Sequence, residues 1–420
     1  MNVAGSEKTH PSVPGGVNLD LSLGIPATLA IAAVVLVVGR QLVKRIGILR
    51  KYSIPEPVAG GLLAAVLVAA FHTMGVRIAF ETALQPGLML AFFATIGLGA
   101  DARMVAKGGG PLLRFTACVI GMLVLENLIG VGMAKILGID PLIGLIAGSV
   151  TMAGGHGTGA AWGQRFSDQF GLVQAPALAL ASATFGLILG GVIGGPVAMR
   201  LIRRLQANGK PLGVSAEQAL AHDAAEAVEP FTAERLTVTI MLVATSIAVG
   251  TTLSRLTENP VFTLPTFVWT LFVGAVLRNV LALARIHEID GQALSFTGVV
   301  SLSLFLAMAL MSLRLWELAS LALPVLAILA LNGIGVALYT TYVTYRVMGA
   351  NYEAAVLVAG QCGFGLGATP TAIANIQAVS ARYGAAPLAF ILVPVVGAFI
   401  IDLCNALVIS GFVQLVTALR

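Results

Sequence analysis

Hydrophobic positions run through this chain in long unbroken stretches, with neither strand-like alternation nor a one-sided helical stripe. Ten stretches are long enough to cross a bilayer core, which takes about 20 apolar residues: 25–47, 56–76, 86–105, 111–136, 174–200, 236–256, 263–283, 293–315, 319–347 and 385–416. Two more are weakly apolar and dense in glycine, AGSVTMAGGHGTGAAW at 147–162 and AGQCGFGLGATPTAIA at 359–374. They lie 212 residues apart, and placing Ala147-Gly148 on Ala359-Gly360 also places Gly155 on Gly367 and Ala160 on Ala372. A glycine-rich segment unwinds readily and bares backbone N–H and C=O groups, which a membrane interior tolerates only inside protein or beside water. Matching broken segments of this kind point to the binding site of a transporter.

The 24 lysines and arginines decide how these two stretches sit. If both re-enter and the N-terminus is outside, 17 basic residues face the cytoplasm and 7 (Lys8, Arg77, Lys135, Arg165, Arg255, Arg314, Arg420) face outward. Treated as full crossings, they leave 12 on each side and abolish the positive-inside bias. The pattern therefore predicts an all-α polytopic membrane protein of two five-span repeats, each with a re-entrant glycine-rich hairpin. Its expected parts are a polar N-terminal tail (1–22), a first repeat (23–202, hairpin 141–165), a cytoplasmic linker (203–235) and a second repeat (236–420, hairpin 352–378). Five crossings per half make the repeats inverted and put both termini outside. Further matches support duplication: Val38-Gly39 with Val249-Gly250, IPEPVAGGLLAAVL (54–67) with LPTFVWTLFVGAVL (264–277), and LENLIGV (125–131) with ALNGIGV (330–336).

Composition agrees, at 58% hydrophobic and 10% charged residues against about 25% charged in a soluble domain. The net charge of +5 is scattered over loops between spans, which topology explains without a nucleic-acid partner. Cys118, Cys362 and Cys404 are odd in number and apolar in surroundings, so they suit packing better than a disulfide or a thiolate metal site.

Charged groups at mid-membrane are costly and usually functional. Of 19 acidic residues, only Glu126 and Asp402 fall near the middle of a span. Asn127 follows Glu126 and aligns with Asn332, and Asn405 lies one turn beyond Asp402 on the same face. Such oxygens suit a sodium ion; a protonated carboxyl would instead carry a proton, and a third role is hydrogen bonding between helices. In the first hairpin, Gly154, Gly155, Gly157 and Gly159 permit close backbone approach beside Ser149, Thr151, His156 and Thr158. In the second, Gly363, Gly365 and Gly367 do so beside Gln361, Thr369, Thr371 and Asn375, with Pro370 limiting the helix. Half-helix N-termini there would hold an anion, and bare carbonyls a cation. Close helix packing is the alternative role for the glycines, as hydrogen bonding is for His156. Neither HExxH nor GxSxG occurs, which argues against an intramembrane enzyme built on His156 with Glu126 or Asp402.

GGHGTGAAW (154–162), GLGATPTAIAN (365–375) and FFATIGLGADARMVAKGG (92–109) resemble signatures of the bacterial sodium:glutamate symporter family. The resemblance covers essentially the whole membrane region. It implies symport of L-glutamate with Na+ as coupling ion, alternating access of elevator type, a homodimer, and the bacterial inner membrane. By motif it carries over Gly154, Gly155, Gly157, Thr158, Gly365, Gly367, Thr369, Pro370, Thr371 and Asn375. The expected substrate set is these residues without Gly365, joined by His156, Asp402 and Asn405. The expected sodium set is Thr151, Glu126, Asn127, Asn332, Gly363, Gly365 and Asp402. A sodium-coupled carrier of citrate or malate is the alternative. Glutamate's second carboxylate needs a positive partner, either a helix N-terminus with His156 or one of Arg103, Arg165 and Arg382 at segment ends.

Overall fold

Apolar runs of this length become helices because a helix satisfies its own backbone groups where water is absent. The computed structural model describes residues 19–51, 54–208, 232–257, 264–286, 289–313 and 321–418. Its first half contains α1 (Ile25–Arg45), α2 (Gly47–Lys51), α3 (Glu56–Thr73), α4 (Gln85–Gly99), α5 (Ala102–Ile136), α6 (Pro141–Leu145), α7 (Gly155–Phe170) and α8 (Ala175–Ala207). The second contains α9 (Ala233–Leu256), α10 (Thr266–Ala284), α11 (Gly291–Met311), α12 (Ala322–Tyr339), α13 (Tyr345–Val347), α14 (Tyr352–Leu366), α15 (Thr369–Tyr383), α16 (Pro387–Val395) and α17 (Ile401–Ala418). Among the described residues nine helical segments are long and apolar enough to cross a membrane.

The third expected span, 86–105, is instead the short helix α4, which at 15 residues is about 22 Å long. It stops because Asp101 caps the next helix, accepting the Arg103 backbone N–H at 2.8 Å. Asp140, Asp290, Asn351 and Thr232 cap helices α6, α11, α14 and α9 in the same way. The tenth expected span is divided between α16 and α17 by a π-helical turn at Val396–Ile400.

An all-helical chain omits one feature that is present: β1 (Leu19–Leu23) pairs in parallel with β2 (Val76–Phe80). The end of the polar tail is thereby tied to the loop after α3; residues 1–18 of the tail and 209–231 of the linker lie outside the described residues.

Helices pack in two groups, α1, α3 and α4 with α9, α10 and α11, and α5 to α8 with α12 to α17. Contacts recur in matched pairs, α1 on α3 with α9 on α10, and α4 on α10 with α11 on α3. The match reaches single residues: a Cβ on Gly39 would strike the backbone of Glu56 and Gly60, and one on Gly250 would strike Thr270. Likewise Gly97 backs onto Leu271, and Gly61 onto Leu310. Within the second group Gly186, Gly190 and Gly194 form a groove on α8 that admits the backbone of α14. A Cβ on Gly190 would lie 3.0 Å from the Gly363 carbonyl oxygen, and one on Gly194 would lie 2.8 Å from that of Ala359.

The groups are joined covalently at 100–111. Asp101 is buried and accepts from the guanidinium groups of Arg103 at 3.0 Å and Arg278 at 2.9 Å. Asn279 accepts the Ala102 N–H and donates to the Ala100 carbonyl, both at 2.8 Å. Hydrogen bonding from Arg103, seconded by Arg278, holds the Asp101 carboxyl well below the usual carboxylate range. Beyond this clamp, Gly109 turns the chain through φ 54° and ψ −149° into the long span of α5.

Candidate functional site

Both glycine-rich stretches are broken helices. In the first, a π-helical turn at Ile146–Val150 leaves Gly148 at φ −95° and ψ −143°, so the backbone around it has lost its helical partners. Three asparagines from three helices replace them. Asn127 of α5 accepts the Ser149 N–H at 3.0 Å, and Asn332 of α12 donates to the Ala147 carbonyl at 2.8 Å. Asn405 of α17 donates to the Ser149 carbonyl at 2.9 Å and accepts the Ser149 hydroxyl at 2.6 Å. All three are buried. Unsatisfied groups at this depth would cost several kcal/mol each, so the amides stabilise a broken conformation that would otherwise rewind.

In the second stretch α14 ends at Gly367, Ala368 is extended, and α15 begins at Thr369-Pro370. The Thr369 hydroxyl donates to the Gly397 carbonyl at 2.5 Å, tying this break to the π-helical turn between α16 and α17. The two stretches meet at their tips. Gly155 sits at φ 62°, and a Cβ there would lie 3.3 Å from the Gly367 carbonyl oxygen.

A cavity of about 560 Å³ opens at that meeting point, between the two helix groups. One wall is residues 153–158 and 367–370 with Gly397 and Asp402; the other is Pro55-Glu56-Pro57 of α3, Phe92 and Ile96 of α4, and α11 around Ser303. The first-turn N–H groups of α7 and α15, which have no partners inside their own helices, belong to the first wall. The cavity's titratable side chains are Glu56, His156 and Asp402, and none of the lining residues is lysine or arginine. His156 Nε2 lies 3.0 Å from Thr184 Oγ1, which donates its only proton to the Leu180 carbonyl at 2.9 Å. The imidazole therefore donates from Nε2.

Of the expected substrate residues, Gly154, Gly155, His156, Gly157, Thr158, Gly367, Thr369, Pro370 and Asp402 line this cavity. Three lie elsewhere. Asn375 donates to the Gly190 and Ala359 carbonyls at 3.0 and 3.2 Å, which pins α15 to α8 and α14. Asn405 belongs to the asparagine cage. Thr371 is buried, with its hydroxyl unpartnered. Of the expected sodium residues, Asp402 lines the cavity, and Asn127 and Asn332 belong to the cage. Glu126 adjoins Asn127, is fully buried, and neither of its carboxylate oxygens has a hydrogen-bond partner. The Thr151 hydroxyl donates to the Ile146 carbonyl at 2.6 Å, while Gly363 backs onto Ala372 and Gly365 onto Met122.

The candidate arginines are absent from the cavity lining. Arg103 pairs with Asp101, Arg165 lies 5.5 Å over the Trp162 ring, and Arg382 lies 5.4 Å over that of Tyr383. Sequence reasoning missed Glu56, Thr184 and Gly397. The first had a signal, an acid between two prolines at a helix start; the other two sit in ordinary apolar helical sequence.

Comparison with known proteins fits this geometry. The family model described as the sodium/glutamate symporter matches residues 21–385, which include both broken stretches. The chain belongs to the sodium/glutamate symporter family. The sodium/glutamate symporters of Escherichia coli K12 and Shigella flexneri are each 51% identical to it over 392 residues, covering 93% of this chain and 97% of theirs. That of Haemophilus influenzae is 47% identical over 386 residues, covering 90% and 94%. Among solved structures, the sodium proton antiporter MjNhaP1 of Methanocaldococcus jannaschii aligns over 93% of this chain and 98% of its own. At 14% identity and a TM-score of 0.43 it is too distant to inform the site. As a member of the symporter family the chain is a multi-pass membrane transporter, not an enzyme.

Proposed function

We propose that this chain carries L-glutamate into bacteria together with sodium, by alternating access across the inner membrane. The observation that carries the reading is the charge of the cavity, two carboxylates with one histidine and neither lysine nor arginine. An anion entering it alone meets a repulsion of about 4 kcal/mol per unit charge at 4 Å and an effective dielectric of 20. Glutamate becomes acceptable when its ammonium faces Asp402, its carboxylates face the first-turn amides of α7 and α15, and sodium supplies the missing positive charge. Citrate or malate lacks the ammonium and deepens the repulsion, so the amino acid is the better cargo. Glu126, Asn127 and Asn332 form a second candidate sodium locus, behind the first break.

The matched contacts of the two halves favour inverted repeats whose broken stretches re-enter from opposite faces. That topology puts both termini outside and the linker in the cytoplasm. In an elevator, α5 to α8 and α12 to α17 would carry the loaded cavity past a static group of α1, α3, α4 and α9 to α11, through which a homodimer would form. Proteoliposomes test the transport claim. Inward sodium should drive uphill uptake of labelled glutamate, competed by unlabelled glutamate and not by citrate or malate. Equal uptake under a choline gradient, or stronger competition by citrate, would refute the reading.

A further inference from the structure

We infer that the end of α8 holds the phosphate headgroup of an anionic phospholipid. Arg200, Arg203 and Arg204 occupy one helical face at spacings of three and four, and all are exposed. Two shallow pockets meet at Arg204. One, of about 490 Å³, runs along α8 beside Arg200 and Arg203; the other, of about 240 Å³, reaches across to Tyr345 and Arg346 beyond α12. Arg346 stands 5.7 Å over the ring of Tyr342, which fixes its guanidinium beside the second pocket.

None of these four guanidinium groups pairs with a carboxylate among the described residues, whereas Arg103, Arg235 and Arg278 each pair with an aspartate. Four unneutralised arginines in concave surroundings match a phosphate, which accepts bidentate hydrogen bonds from guanidinium. The rim decides between a free anion and a lipid. Pro196 and Met199 line the first pocket, and Leu201, Leu205 and the exposed Tyr342 line the second. A soluble anion has no use for that apolar border, while acyl chains descending from a headgroup would cover it. Basic pockets between helices at a membrane surface take anionic lipids on these grounds. The proposal uses no residue of the glutamate cavity and stands or falls apart from the transport reading.

Native mass spectrometry of the full-length protein in detergent tests it, with phosphatidylglycerol, phosphatidylcholine or inorganic phosphate added. Each arginine near the headgroup contributes about fivefold to binding, so R203Q/R204Q/R346Q should weaken phosphatidylglycerol adducts by about a hundredfold. Lysine replacements at the same positions guard against misfolding and should lose less, because they keep charge but not the bidentate fork. Phosphatidylcholine should bind weakly, and millimolar phosphate should not displace phosphatidylglycerol. Equal adducts in wild type and variant would overturn the proposal, as would displacement by phosphate, which would mean a general anion site. A tenfold gain of lipid on neutralising Glu217, Asp223, Glu226 and Glu229 would also overturn it, since the arginines would then belong to the acidic linker.

Discussion

At Gly155 the backbone turns through a positive φ with the Gly367 carbonyl oxygen 3.3 Å from where a side chain would begin. Gly155→Ala imposes about 1–2 kcal/mol of strain and presses the two tips apart. Uptake should fall more than tenfold, while the thermal midpoint in detergent drops by only a few degrees. Asp402 is half-buried in the cavity wall, and the function proposed above gives it both the substrate ammonium and the coupling ion as partners. Asp402→Asn should raise the sodium concentration for half-maximal uptake at least tenfold, read from initial rates; an unchanged sodium dependence would remove Asp402 from the ion's path. Asp101 is a different kind of carboxylate. Its lowered folded pKa means that its stabilisation is complete above the unfolded value of about 3.9 and fades as pH falls through the folded value. Asp101→Asn should therefore lower the thermal midpoint at neutral pH, and the gap to wild type should narrow on acidification below about pH 4.

The broken stretch around Gly148 survives because side chains from three other helices stand in for its missing partners. Asn405→Ala leaves the Ser149 carbonyl with the Gly154 N–H as its one remaining donor and takes the acceptor from the buried Ser149 hydroxyl, a loss of about 1–3 kcal/mol. Asn405→Ala and Ser149→Ala should couple by about 0.5–3 kcal/mol in a double-mutant cycle of unfolding free energies. Additive losses would mean that the cage is incidental. The sequence shows polar residues at mid-span and aligns Asn127 with Asn332, but a repeat alignment puts equivalent residues on opposite sides of an axis. It gives no reason for both to converge on the same break. Asp402 and Asn405 share a helix face by spacing, yet α17 packs so that one lines the cavity and the other meets Ser149. The third break, Val396–Ile400, was invisible because its residues are as apolar as the helices around it, with only Pro394 as a hint.

The helical membrane class and the places of most spans were legible at the level of the whole molecule, because they rest on run length, which survives any packing; the count of ten was not, since α4 is too short and the last expected span breaks at Val396–Ile400. The division of helices into two groups was not, since it depends on which faces meet. That division carries a mechanical prediction. Phe92 of α4 packs on Gly157 of α7 across the cavity, so cysteines at these two positions, with the native three replaced, should abolish uptake once cross-linked. Ser254 and Thr266, whose hydroxyls are 3.0 Å apart and which both belong to the group of α4, should tolerate the same cross-link. The charge of the cavity is also a property of the whole assembly, because α3, α7, α15 and α17 all contribute to it. Calorimetric titration of glutamate into the purified protein tests it most directly, in sodium and in choline. The account predicts affinity at least a hundredfold higher in sodium, with glutamate tightening sodium binding by the same factor. Equal affinity in choline would contradict it.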